Sequence, residues 1–99
     1  ASIILYLLLD KPSYGYEISK QIKAMTNEKY IVKETTLYSA FTRMEKNGYI
    51  TSFPSVGENG GKKRTYYQIT DEGRLYYQSK CEEWALTKEV IEKFIVKEN

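Results

Sequence analysis

Histidine is absent from this 99-residue chain, and cysteine occurs once, at Cys81. Without an imidazole the chain lacks the usual acid–base group of neutral pH and the commonest metal ligand. A lone cysteine forms no internal disulfide, so nothing suggests a secreted scaffold and a reducing cytosol fits. With no second thiol to resolve an oxidised form, Cys81 is read as a buried structural thiol rather than a redox sensor. Long apolar runs are missing too: residues 3–9 reach only seven in a row, far short of a membrane span. No Walker-type loop occurs, the acids are scattered, and the glycines around residue 60 do not open a helix. Catalytic residues, a metal site and a cofactor are therefore not expected. An initial Met is also lacking, since the chain opens ASIILYLLL, which predicts further residues before Ala1.

What is present is a patterned, 41% apolar sequence, which reads as globular. Its size allows one modest core and makes oligomerisation a natural source of extra burial. The net charge of +2 conceals a gradient. In residues 1–28 three acids cancel three bases. Residues 29–64 carry seven bases against Glu34, Glu45 and Glu58. Residues 71–99 carry five bases against seven acids. The basic middle third matters more than the total, because phosphates are met by a patch.

That middle third holds the organising stretch, residues 35–48, TTLYSAFTRMEKNG. Leu37, Ala40, Phe41 and Met44 recur at helical period and form an apolar stripe. Thr35, Ser39, Thr42, Arg43 and Lys46 recur on the other side, with no acid among those five. A solvated helix face usually mixes Glu with Lys. Short hydroxyls with Arg instead suit a major groove, where the backbone comes close and Arg reaches base edges or phosphates. An ordinary amphipathic helix remains the competing explanation of this stretch taken alone.

Around it the chain predicts a simple order. Residues 2–9 read as a mostly buried helix. Residues 10–13 turn, with Ser13 a candidate N-cap. A second helix runs to about Thr26 with Ile18, Ile22 and Met25 inward, opened by Tyr14-Gly15-Tyr16. Gly15 costs helix stability there, which implies a close packing contact or a close approach to a ligand. Residues 27–32 connect to the third helix, and Asn47-Gly48 stops it, Gly48 suiting a left-handed position. Residues 49–54 and 64–70 read as strands. Between them SVGENGGKK forms a glycine-rich loop leading into Lys62-Lys63-Arg64. Thr70 caps a last helix, acidic in its first turn, that continues to residue 97, about 40 Å at ~1.5 Å per residue.

Two helices in short succession, the second basic outside, followed by a hairpin with a basic flexible tip, describe a winged helix-turn-helix. The fold class is mainly α with a small β hairpin. Residues 1–70 form the DNA-binding domain and residues 71–99 a long C-terminal dimerisation helix. At this point the chain resembles the PadR family of bacterial transcriptional regulators, particularly its short subfamily with a single C-terminal helix, which includes multidrug-binding repressors. The match rests on Tyr14-Gly15-Tyr16-Glu17, Thr36-Leu37-Tyr38, residues 43–50 (RMEKNGYI), residues 60–67 (GGKKRTYY) and Ile69-Thr70-Asp71-Glu72-Gly73. It covers about two-thirds of the chain. Thr35 stands where the family often has Gly, and Ser39 where it often has Pro. Both lie on the expected groove face, so operator preference does not carry over.

The resemblance implies a cytoplasmic dimeric repressor on double-stranded operator DNA. It places Tyr14, Thr36 and Tyr38 at backbone contacts and Lys62, Lys63 and Arg64 on the wing. Lys33, Thr35, Ser39, Thr42 and Arg43 complete the expected DNA-binding set. For Tyr38, simple packing with its hydroxyl in water is the alternative.

The last helix asks for a partner on its own account. Tyr77, Cys81, Trp84, Ile91 and Ile95 share one side, widened by Tyr76, Thr87, Val90 and Phe94. A small domain covers only part of so long a helix, and a two-fold pair buries the rest. The expected dimer interface is Cys81, Trp84, Thr87, Val90, Ile91, Phe94 and Ile95. Two facing Trp84 indoles could instead sandwich a flat drug-like or phenolic effector, with Lys80 and Lys88 beside it and Tyr76 and Tyr77 either lining the site or packing against the first helix. The lysines favour neutral or anionic aromatics over cationic dyes. The rival function class is a winged helix used for protein interaction, without operator or effector. The basic wing and the hydroxyl face speak against it.

Overall fold

The apolar opening of the chain forms helix α1 (Ser2–Leu7), with Ile4 and Leu5 buried. A computed structural model of the chain describes residues 2–29, 31–57 and 60–98, with side chains up to residue 95. Regular helix ends at Leu7, two residues before the predicted end. Leu8 stays buried in the turn that follows, its N–H reaching the carbonyls of Ile4 and Leu5.

Ser13 corrects one expectation. It does not cap the second helix but forms, with Tyr14, the two-residue strand β1. The N-cap position of α2 (Gly15–Met25) is Tyr14, which makes no side-chain capping bond. The Ser13 hydroxyl instead donates to Glu17 Oε1 at 2.5 Å. Met25 corrects a second. Ile18 and Ile22 are buried, whereas Met25 is 52% exposed. It is the last helical residue, and the chain turns away through Asn27 and Glu28, both at positive φ.

Helix α3 (Glu34–Lys46) buries Leu37, Ala40, Phe41 and Met44, the predicted stripe. Gly48 follows at φ +80°, the left-handed stop. Strands β2 (Ile50–Ser55) and β3 (Arg64–Ile69) pair antiparallel, with Phe53 opposite Tyr66 and Ser55 opposite Arg64. β1 adds to the other edge of β3, Tyr14 opposite Tyr66, giving the three-stranded order β1-β3-β2. Tyr30 of the 27–32 connection, Glu58 and Asn59 at the loop tip, and the terminal Ala1 and Asn99 lie outside the described residues.

The core gathers Leu5, Leu8, Ile18, Ile22, Phe41 and Ile50, with Phe41 stacked on Tyr67 at 4.0 Å between ring centres. Fully burying such side chains contributes roughly 1.5–3 kcal/mol each. Helix α4 (Asp71–Glu98) leaves this core and gives the molecule its 56 Å long axis. Thr70 caps it as predicted, its Oγ1 accepting the Gly73 N–H at 3.0 Å. The same hydroxyl donates to the Gly48 carbonyl at 2.6 Å, so one side chain joins the end of α3 to the start of α4.

Candidate nucleic-acid interface

The face of α3 opposite its core stripe is built as the sequence suggests, but not as one continuous patch. Thr35, Tyr38, Ser39 and Thr42 line a shallow recess along the helix together with Glu34. Glu34 opens the helix one residue earlier than predicted. It suits the positive end of the helix dipole, yet it places an acid at the edge of a face read as acid-free. Thr42 Oγ1 donates to the Tyr38 carbonyl at 3.0 Å, which leaves its lone pairs and methyl to face outward. Arg43 stands on the other flank. With Thr36 it borders a largely apolar cleft of about 290 Å³ lined by Ile3, Ile22, Val32 and Leu37.

Tyr38 lies at the junction of two helices. Its ring meets the edge of Phe41 at 5.7 Å, and a Cβ on Gly15 would come within 2.9 Å of its hydroxyl. Gly15 therefore makes the close packing contact expected of it, and Tyr38 is its partner. Lys33 lines the approach to α3 beside Lys29, Val32 and Thr36. Lys29 adds a base there that no motif or period marks, because it lies in the irregular connection.

On the wing, Lys62, Lys63 and Arg64 are all exposed. Arg64 holds its guanidinium 4.5 Å from the centre of the Tyr14 ring. Tyr14 in turn lies 5.2 Å from Tyr66, and Tyr66 lies 5.9 Å from Phe53. This row across all three strands could not be foreseen without β1. Tyr67, on the opposite face of β3, has its phenol pushed above its ordinary value of 10.0 by burial, with Glu45 and Tyr38 adding. Glu45 accepts from Ser52 Oγ at 3.1 Å and ties α3 to β2.

On α4, Tyr76 stacks on Tyr49 at 4.2 Å and Tyr77 lies 6.3 Å from Tyr6 of α1. Cys81 is half-buried, and its hydrogen bond with Tyr77 is the chief cause raising that phenol's pKa. Trp84 is 50% exposed, and Val90, Ile91, Phe94 and Ile95 are exposed with it. Leu75 and Leu86, on the other side of the helix, are exposed too and were not part of the predicted stripe. Lys80 pairs with Glu83 at 3.2 Å and lies over the Tyr76 ring; Lys88 pairs with Glu92 at 4.0 Å. Glu83 raises the Lys80 pKa, first through their hydrogen bond. Among the described residues no His/Cys/Asp/Glu group could hold a metal, and no helix is long and apolar enough to cross a membrane.

The transcriptional regulator PadR-like family matches residues 4–79. A transcriptional regulator from Clostridium thermocellum is 61% identical, with a TM-score of 0.82 over 94% of this chain and 86% of that one. A PadR family transcription regulator from Clostridium difficile is 37% identical, with a TM-score of 0.82 over 95% of both chains. An uncharacterized protein of Lysinibacillus sphaericus is 45% identical over 94 residues, 95% of this chain and 85% of its own length. With a family match across most of its length and relatives this similar on the same fold, the chain belongs to the PadR-like family of DNA-binding transcriptional regulators, which are not enzymes.

Proposed function

We propose that the chain is a homodimeric repressor acting in the cytoplasm, relieved by a small aromatic or hydrophobic effector bound where the two α4 helices meet. The observation that carries this reading is the exposed stripe of Trp84, Ile91, Phe94 and Ile95. It lies on a helix that projects away from the winged-helix core, and a second copy is the simplest cover for it. Residues 1–70 serve as the DNA-binding domain and residues 71–99 as the dimerisation helix. The first turns of α4 dock on Tyr49 through Tyr76 and on α1 through Tyr77, and so join the two.

In this reading α3 enters the major groove. Thr35, Thr36, Ser39 and Thr42 keep the approach close, Arg43 reads a base, and Lys33, Tyr14 and Tyr38 flank the backbone. Lys62, Lys63 and Arg64 neutralise phosphates from the wing. Cys81, Thr87, Val90 and the exposed stripe make the interface. Trp84 faces its mate across a gap that a flat molecule fills, with Tyr76, Tyr77, Lys80 and Lys88 nearby. Because Glu83 and Glu92 offset the two lysines, neutral aromatics come first among effectors, anionic ones next.

Gel shifts on the promoter of its own gene test the regulatory reading, with aromatic compounds added to preformed complexes. Release by neutral or phenolic compounds, with quenching of Trp84 fluorescence, is the expected result. A complex indifferent to salt and to every aromatic tested would contradict it, since phosphate contacts make log affinity fall with log salt.

A further inference from the structure

Arg64 begins β3, opposite Ser55 on one side. On its other side β1 ends at Tyr14, whose register partner is Tyr66. Arg64 and Tyr66 are two apart and so share a face of the sheet with Tyr14. Arg64 is thus the diagonal neighbour of Tyr14, within reach of a long side chain. Its guanidinium accordingly rests 4.5 Å from the Tyr14 ring centre. Behind it the row is fixed: Tyr66 packs on Tyr14 and Phe53, and the Tyr66 hydroxyl closes over Gly57, which sits at φ +75° where a side chain would collide with it. Glu17 lines the same recess of about 220 Å³, along with Lys11. Its carboxylate already accepts the Ser13 hydroxyl.

We propose that Tyr14 is a positioning residue for DNA binding: its ring holds the Arg64 guanidinium at the wing base, so that Arg64 meets a backbone phosphate already oriented. This inference rests on the winged-helix interface described under the proposed function and revises the part Tyr14 plays in it. A stacked guanidinium keeps its donor edge free for a phosphate and loses less freedom on binding than an unsupported one. Tyr14 contributes through its ring, not through its hydroxyl. It also ties the wing to the start of α2, so wing and helices approach the duplex as one body.

The test is equilibrium binding of the full chain to a labelled duplex of random sequence at low salt, since a phosphate contact needs no operator. Tyr14→Phe should bind within about twofold of the parent, while Tyr14→Leu and Arg64→Ala each weaken binding by about two- to tenfold. The double variant Tyr14→Leu/Arg64→Ala should bind no worse than Arg64→Ala alone. Arg64→Lys, which keeps the charge but not the planar stack, should also weaken binding. Equal losses for Tyr14→Phe and Tyr14→Leu would mean that the hydroxyl itself touches phosphate, and would overturn the proposal. Losses that add in the double variant would do the same. If Tyr14→Leu melts early, the comparison of Tyr14→Phe with Arg64→Lys decides: full affinity for the first and loss for the second supports the proposal, and the reverse sinks it. A parent chain that ignores the duplex would remove the interface as a whole, whereas a parent that binds with the variants misordered removes only this inference.

Discussion

Arg43 and Lys62 carry the same charge and are expected to answer mutation differently. Arg43 stands on the flank of α3 beside Thr36, and the proposed docking has it read a base edge. Arg43→Ala should relax preference at one operator position by about 1–3 kcal/mol, whereas Lys62→Ala should weaken all sequences alike and lower the salt slope by about 1. Parallel titrations of operator and random duplex read both, and a uniform loss for Arg43→Ala would reassign it to the backbone. Tyr67 gives a second residue-scale expectation. Burial raises its phenol above 10.0 in the folded chain, so the folded state keeps a proton that the unfolded state releases first. The stability this contributes is complete below about pH 10 and is lost as pH rises through the folded value. Denaturation midpoints should be level near neutrality and fall above pH 10, and Tyr67→Phe should flatten that fall in part. Tyr77, raised chiefly by Cys81, adds in the same direction.

Between elements, the end of α3 is tied to the start of α4. Thr70 bonds both the Gly48 carbonyl and the Gly73 N–H, its own N–H reaches the Tyr49 carbonyl at 3.0 Å, and Tyr49 stacks on Tyr76. A Cβ on Gly73 would collide with the Tyr49 carbonyl oxygen, which belongs to the backbone and cannot swing aside. Gly73→Ala should therefore cost about 3 kcal/mol or more, read as a lowered melting temperature. Gly15→Ala is the contrasting case. Its Cβ would meet only the far end of the Tyr38 side chain, so DNA affinity should fall while the melting temperature moves little. Much of this architecture is legible in the sequence. The stripe of Leu37, Ala40, Phe41 and Met44 has a helical period, Gly48 marks a stop, and Thr70 precedes an acidic turn. What escapes is what has no period. β1 is two residues long and exists because β3 has an edge to pair with, so Ser13 is claimed by the sheet before it can cap α2. The contact of Tyr14 with Arg64 spans fifty positions and follows only from strand register. The inward role read for Met25 fails because a period does not say where a helix ends.

For the whole molecule the governing feature is the long axis. At 56 × 30 × 23 Å the chain is a small domain with a helix reaching past it. Apolar side chains along that helix stay in water unless another surface covers them, and ion pairs such as Lys88–Glu92 are too exposed to compensate. Pairing through α4 would present two copies of α3 to one duplex, about 34 Å apart for successive major grooves. Ile91, 51% exposed in the single chain, should be central to that pairing, so Ile91→Glu should leave a folded monomer with weakened operator binding. The most direct measurement is sedimentation of the purified chain alone and on a short duplex carrying its own promoter. A dimer free in solution that places two chains on each duplex is the expected result. A stable monomer, or one chain per duplex at saturation, would contradict it.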